Sequence, residues 1–206
     1  VVDAAGCLLP YFVTITNMRA KDMHLIRQGI ERVLRARLND AEFFFREDRK
    51  RPLPDRLPDL RQVIFQEKLG SVAVKVERIQ RLAAWIAERV DPAARATAER
   101  AALLCKADLT TNMVKEFPNL QGVMGREYAR LSGEAPEVCQ AIEEHYLPRF
   151  TGDRLPASTA GAAVALADRF DSIVGCFGVG LVPTGSEDPY ALRRAALGVV
   201  QTILQR

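Results

Sequence analysis

Three residues of this 206-residue chain are candidates to bind a divalent metal ion together. Asp108 lies in LLCKADLTT, His145 in EEHYLPRF and Asp168 in ALADRFDSI, each within a predicted helix. One imidazole and two carboxylates are reasonable ligands for a hard divalent cation. The alternative is structural: the two aspartates cap or bridge helices, and His145 packs between them. The residue types alone favour the structural interpretation.

A second group of candidates consists of arginines that lie off the predicted apolar stripes. They are Arg32, Arg35 and Arg37 in ERVLRAR, and Arg193 and Arg194 in ALRRAAL. A guanidinium can donate two parallel hydrogen bonds to phosphate oxygens, so these residues are candidates for binding a polynucleotide backbone. The alternative is an ordinary solvated helix face.

Other kinds of catalytic site find little support. The chain has only two histidines, and no serine or cysteine lies in a nucleophile-elbow sequence. The glycine-rich stretch 175–186 lacks the lysine of a phosphate-binding loop, so it indicates a connection between helices.

The hydrophobic pattern predicts helices that would position these residues. Asp22 can cap a helix that runs to about Asp48, and three prolines in 49–59 indicate a linker. Further helices are predicted over 60–90, 92–116, 121–131, 136–146, 158–174 and 189–205. Residues 8–16 are rich in β-branched and aromatic side chains and predict one strand. We therefore expect a mostly α protein with a short N-terminal β remnant of a preceding domain.

The amino-acid composition and the net charge limit the classes to which this protein can belong. The hydrophobic fraction of 48% is that of a folded domain, and the formal net charge of +3 excludes a strongly polycationic nucleic-acid arm. The four cysteines form no C-x-x-C pair, which favours free thiols and a reducing, cytoplasmic compartment. No apolar run approaches the roughly 20 residues of a membrane span, so we expect no membrane association. The first residue is Val1 rather than methionine, and we expect a fragment of a longer polypeptide.

Several longer blocks of sequence are specific to one family. With these blocks in the same order, the chain closely resembles the β subunit of the bacterial two-chain glycyl-tRNA synthetase. The resemblance is carried by RVLRARLNDAEFFFREDRK (32–50), FQEKLGS (65–71), KADLTTNMVKEFPNLQGVMGREYA (106–129), EEHYLPRFTGD (143–153) and SEDPYALRRAALGVV (186–200).

The resemblance implies a part of an enzyme rather than a catalytic unit. In this family the α subunit binds glycine and ATP, with Mg²⁺, and carries the aminoacylation site. The β subunit recognises tRNA-Gly, and the intact enzyme is implied to be an α2β2 heterotetramer. We therefore expect a tRNA-binding or structural role, no catalytic residue and no cofactor in this chain. Docking of the α subunit or of other parts of the β subunit, for example through the FFF run at 43–45, is a weaker possibility.

The resemblance also implies a helical bundle similar to the HD family of metal-dependent phosphohydrolases. That family's ligands include a first histidine, a His-Asp pair, later histidines and a final aspartate. Here Ala107-Asp108 replaces the His-Asp pair, His145 matches a later histidine and Asp168 the final aspartate. The region of the first histidine, 68–79, has none and offers Ser71 and Lys75. The resemblance therefore implies vestigial positions without a metal, and a residual metal-dependent phosphohydrolase is the alternative.

These inferences give three predicted regions. Residues 1–20 end a preceding β-containing domain, 21–59 form the long helix and proline-rich linker, and 60–206 form the HD-like helical domain.

Overall fold

A computed structural model describes residues 1–17, 21–185 and 187–205. Over these ranges the chain folds into α-helices, short 3₁₀ segments and one two-stranded antiparallel sheet, which confirms the mostly α prediction. The helices are α1 (Met23–Asp48), α2 (Val72–Val90), α3 (Arg95–Leu104), α4 (Asn112–Glu116), α5 (Val123–Leu131), α6 (Pro136–Glu144), α7 (Thr159–Gly178) and α8 (Leu192–Gln205). The strands are β1 (Ile64–Gln66) and β2 (Gly70–Ser71). The 3₁₀ segments are Leu53–Gln62, Pro92–Ala94, Ala107–Thr110 and Pro118–Leu120.

The chain divides into two compact units, Val1–Phe43 and Phe44–Arg206. The predicted regions 1–20, 21–59 and 60–206, and the likeness to the HD family, stay predictions. Among the described residues, no helix combines the length and the apolar character that crossing a bilayer requires.

The smaller unit contains the N-terminal segment and most of α1. Asp22 caps this helix as predicted, because its Oδ1 accepts the backbone N–H groups of His24 at 2.8 Å and Leu25 at 3.2 Å. The strand predicted over 8–16 is not formed: within residues 1–17 only an isolated bridge joins Val2 and Leu8. A strand requires a neighbour that pairs with its backbone groups, and composition alone does not supply one.

The predicted linker 49–59 is a packed part of the larger unit. Residues Leu53–Gln62 form a 3₁₀ segment whose Leu53 and Leu60 are each 1% exposed. Asp48, at the end of α1, accepts the backbone N–H groups of Asn112 at 2.9 Å and Met113 at 2.8 Å. This carboxylate therefore satisfies the first N–H groups of α4, and it holds the proline-rich segment against the bundle through Arg56, 3.4 Å away.

Two predicted helices are shorter or broken. The helix expected over 60–90 begins at Val72, because 64–71 form the hairpin of β1 and β2. The helix expected over 92–116 is interrupted after Leu104. Thr110 and Thr111 donate their hydroxyls to the carbonyls three residues earlier, and such local bonds compete with a continuous helix. This interruption positions Lys106 and Asp108.

The core of the larger unit surrounds α7, which packs against α2, α3, α6 and α8. Its first half is buried, as the alanine-rich sequence predicts, whereas residues 168–174 of the predicted buried helix 158–174 are partly or fully exposed. Facing residues such as Ala83 of α2 and Ala101 of α3 are fully buried as well. Small side chains let the helix backbones approach closely, and α7 consequently brings Asp168 beside α2 and the turn after α3.

Candidate functional site

A buried ionic cluster lies where α2, α7 and the turn after α3 meet. The carboxylate of Asp168 is 2.7 Å from Nζ of Lys106 and 2.9 Å from Nζ of Lys75. The two lysines are 6% and 4% exposed. Burial raises the pKa of the Asp168 carboxyl, but the two ammonium groups outweigh burial and hold this pKa well below its usual range. Asp168 is therefore a carboxylate held between two cations.

His145 completes the cluster as a neutral imidazole. Its ring lies at the C-terminus of α6, is 1% exposed, and has Nε2 2.9 Å from Nζ of Lys106. Because an ammonium can only donate, Nε2 accepts this bond and Nδ1 donates to the carbonyl of Ile142. Burial and the charge of Lys106 hold the pKa of His145 well below its ordinary value.

Lys75 links this cluster to a second carboxylate of α7. Its Nζ donates to Oδ2 of Asp171 at 3.1 Å and to Oγ of Ser172 at 2.7 Å. Arg78, one turn further along α2, binds both oxygens of Asp171. The lysine and the arginine of α2 are thus fixed against α7 by charged hydrogen bonds, which are stronger than neutral ones.

Asp108 faces a different element, α5. Its Oδ2 accepts the backbone N–H groups of Gly122 at 2.7 Å and Gly125 at 3.1 Å. Gly122 has φ +82°, a conformation that favours glycine. Burial raises the pKa of Asp108 to about 6, although these backbone bonds and Lys106 act in the opposite direction. The structural alternative for Asp108, a helix cap, is the one that the geometry supports.

The residues at these positions do not fit a divalent cation. Ammonium groups lie against the Asp168 carboxylate, and Lys106 also occupies the free lone pair of His145. Over 1–17, 21–185 and 187–205, no three His, Cys, Asp or Glu side chains form a group that could hold a metal ion. A divalent ion here would face two buried positive charges, so we derive no metal-dependent step from this site.

The structure brings together only some of the residues that the sequence singled out. His145 and Asp168 share Lys106 as a partner. Arg194 lines an open cavity with them, while Arg193 is exposed on α8 outside it. Arg32, Arg35 and Arg37 are exposed on α1 in the smaller unit.

Sequence reasoning missed the roles of two lysines. Lys75 lies three residues after Val72 and four before Ile79, so it falls on the buried stripe of α2. A charged residue on an apolar stripe indicates a buried partner of opposite charge, so the position of Lys75 in the sequence already indicated such a partner. Lys106 follows the apolar run AALLC, but nothing local indicates that the helix ends there.

The comparisons with known proteins agree on one family. The family model described as "Glycyl-tRNA synthetase beta subunit" matches residues 1–206. A protein of Geobacter sulfurreducens named glycine–tRNA ligase beta subunit is 56% identical over 206 residues, which are 100% of this chain and 30% of that protein. One of the same name from Neisseria meningitidis is 54% identical over 204 residues, 99% of this chain and again 30% of the relative.

The chain thus spans about 30% of the length of the curated relatives that it matches. The family model matches every residue, and more than half of the aligned residues are identical in these relatives. The chain belongs to the glycyl-tRNA synthetase β subunit family.

Proposed function

We propose that this chain contributes a tRNA-binding surface to a glycine–tRNA ligase. In this proposal it acts with an α subunit, in an α2β2 enzyme of the cytoplasm, and binds tRNA-Gly without catalysing a step itself. Glycine, ATP and Mg²⁺ would be bound by the α subunit. Family membership supports the proposal, since relatives with more than half of their matched residues identical are named as β subunits of this ligase.

The observation that carries the proposal is a set of exposed arginines without protein partners. Arg32 and Arg35 lie three residues apart on α1, so both project from neighbouring positions on the helix surface. Within the described ranges, neither guanidinium has a hydrogen bond or an ion pair, and both side chains are exposed. Arginines in this state can donate to phosphate oxygens without breaking an existing bond.

Phosphate contacts would position the tRNA rather than read its sequence. Most of the binding free energy from such contacts comes from counterion release and depends steeply on salt concentration. RNA helices are recognised largely through shape, 2′-hydroxyls and phosphates, so a basic helix face is a suitable surface.

The test is the salt dependence of tRNA affinity for a full-length β subunit carrying these 206 residues. We expect Arg32→Ala/Arg35→Ala to weaken binding and to flatten the slope of log affinity against log salt by roughly one for each lost phosphate contact. Arg27→Ala is the matched control, because Arg27 lies on the same helix but is 3.6 Å from Glu31. An unchanged slope in the double variant would remove these two arginines from the interface.

A further inference from the structure

A cavity of about 590 Å³ lies beside the buried ionic cluster in the larger unit. Its wall is formed by the segment after α6, by α7 and by the start of α8. The side chains that matter here are Arg149, Arg169, Arg194, Ser172 and Tyr190. Cavities of this size commonly hold a small ligand rather than only water.

Positive charge dominates the lining of this cavity. Three guanidinium groups line it, against the single carboxylate of Asp168. That carboxylate already forms ion pairs with Lys75 and Lys106. The neighbouring cluster balances its own charges, since Lys75, Lys106 and Arg78 oppose Asp108, Asp168 and Asp171. The arginines of the cavity therefore have no buried carboxylate left to neutralise them.

Arg169 supplies a fixed positive charge. Its guanidinium donates to the carbonyls of Ala165 at 3.0 Å, Leu147 at 2.7 Å and Pro148 at 3.1 Å, with longer bonds to those of His145 and Tyr146. A Cβ on Gly198 of α8 would lie 2.6 Å from Nε of Arg169, so the glycine makes room for this side chain. Carbonyl dipoles hold the cation in place but leave its net charge uncompensated.

Arg149 and Arg194 provide donors that are free to bind a ligand. Neither guanidinium has a hydrogen bond or an ion pair within residues 1–17, 21–185 and 187–205. Two acidic side chains that lie close to them in sequence accept backbone bonds instead, although Asp188 also interacts electrostatically with Arg194. Asp153 accepts the N–H of Arg149 at 2.8 Å, and Asp188 accepts those of Leu192 and Arg193 at 2.7 Å and 3.0 Å.

An aromatic ring stands at the rim of the same cavity. Tyr190 is 37% exposed, and its ring lies 6.3 Å from that of Phe65 in a tilted arrangement. Exposed aromatic rings beside a cationic groove are the usual platform for an unpaired base.

We propose that this cavity binds a nucleotide, with its phosphate group on Arg149 and Arg194 and its base against Tyr190. The field of Arg169 favours the anion. The nucleotide is either an unpaired nucleotide of tRNA or a free mononucleotide. If the nucleotide belongs to tRNA, this inference rests on the function proposed above.

The test compares nucleotide binding by two double variants of a full-length β subunit carrying these residues. Arg149→Gln/Arg194→Gln removes the two free donors, and Arg61→Gln/Arg81→Gln removes the same charge from exposed arginines outside the cavity. Affinity for AMP, with inorganic phosphate as a second probe, is measured by titration calorimetry. We expect the first variant to lose about tenfold or more in AMP affinity and the second to change little. Equal thermal midpoints would show that both variants fold.

Affinity for tRNA, measured on the same proteins, identifies the source of the nucleotide. A loss of AMP affinity with unchanged tRNA affinity supports a free nucleotide, and a loss of both AMP and tRNA affinity supports an unpaired tRNA nucleotide. If the cavity variant matches its control with AMP, phosphate and tRNA, the inference is overturned. The proposed tRNA-binding function fails separately, if the unmodified subunit shows no salt-dependent binding of tRNA.

Discussion

Lys106 is the residue on which the buried cluster most depends. Its ammonium contacts the Asp168 carboxylate and Nε2 of His145, and it lies 4.2 Å from the centre of the Tyr146 ring. These three partners come from the end of α6 and from α7, so a single side chain joins both to the turn after α3. A buried charge in this position stabilises the fold only while all of its partners are present.

Replacing this ammonium with an apolar side chain of similar length should therefore destabilise the protein. We expect Lys106→Met to lower the free energy of unfolding by about 3–5 kcal/mol, because the Asp168 carboxylate loses its closest cation. Lys68→Met, at an exposed position, should change it by no more than about 0.5 kcal/mol. Urea unfolding monitored by circular dichroism measures both values. Equal losses in the two variants would contradict the role of Lys106.

Asp108 makes a pH-dependent contribution of its own. Its pKa rises from an ordinary 3.8 to about 6 on folding, chiefly through burial. Between these two values the folded protein binds more protons than the unfolded protein. Ionisation of Asp108 therefore lowers the free energy of unfolding as the pH increases, and this decrease is complete above about pH 6.

Asp108→Asn should remove this cost, because an amide oxygen can still accept the N–H groups of Gly122 and Gly125. We expect the stability of the variant relative to the parent to increase by about 2 kcal/mol between about pH 4.5 and about pH 7.5. The change in pKa of His145 is common to both proteins and cancels in the difference. A difference that does not vary with pH would show that Asp108 has an ordinary pKa.

At the scale of secondary-structure elements, a carboxylate at the end of one helix joins it to the start of the next. Glu144, at the end of α6, accepts the backbone N–H groups of Ala157 and Ser158, each at 3.0 Å, just before α7 begins. Gly161 in the first turn of α7 allows this approach, because a Cβ there would clash with the carboxylate of Glu144 and lie 2.7 Å from its Cβ. The junction of α6 and α7 therefore depends on a missing side chain.

This arrangement reverses the usual effect of replacing a helical glycine. Alanine normally stabilises a helix by up to about 1 kcal/mol, but we expect Gly161→Ala to destabilise the protein by about 1–3 kcal/mol through overpacking. Gly178→Ala, at the other end of α7 with no atom within 4 Å of the added Cβ, should be neutral or stabilising. Thermal unfolding distinguishes the two, and a stabilising Gly161→Ala would contradict the packing described here.

Most helices could be predicted from the sequence, but their interruptions could not. The start of α1 at Met23, directly after its cap Asp22, and its end at Asp48 follow from a local cap and a long apolar period. The end of α3 at Leu104 is followed by a turn in which local bonds of Thr110 and Thr111 combine with the bond from Asp108 to the start of α5, and only the second of these depends on a distant segment. The strand predicted over 8–16 failed for the same reason, because pairing depends on distant segments.

At the scale of the whole molecule, buried lysines lie where the larger unit brings its histidine and an aspartate together. Where α2, α7 and the turn after α3 meet, the larger unit pairs Lys75, Lys106 and Arg78 with the carboxylates of α7, and its cysteines Cys105, Cys139 and Cys176 are buried free thiols. Such pairs stabilise the folded state without an exchangeable ligand.

Chelation should accordingly leave the stability of the protein unchanged. We expect the thermal unfolding midpoint to be the same with EDTA, with added Mn²⁺ and with added Zn²⁺, since a ligand that binds only the folded state would raise it. Elemental analysis of the purified protein gives an independent measurement. A midpoint that rises with metal concentration, or stoichiometric metal after loading, would support the phosphohydrolase alternative.

The sequence by itself determined the helical class, the long α1 and the family, because helical periodicity and long blocks of similar sequence are local properties that need no folding to be recognised. Only the tertiary structure decided which charges meet. Lys75 reaches Asp171 across 96 positions of sequence, and Lys106 reaches Asp168 across 62. Burial makes these pairings strong, and burial is produced by the packing of α2, α3 and α7 together rather than by any one segment.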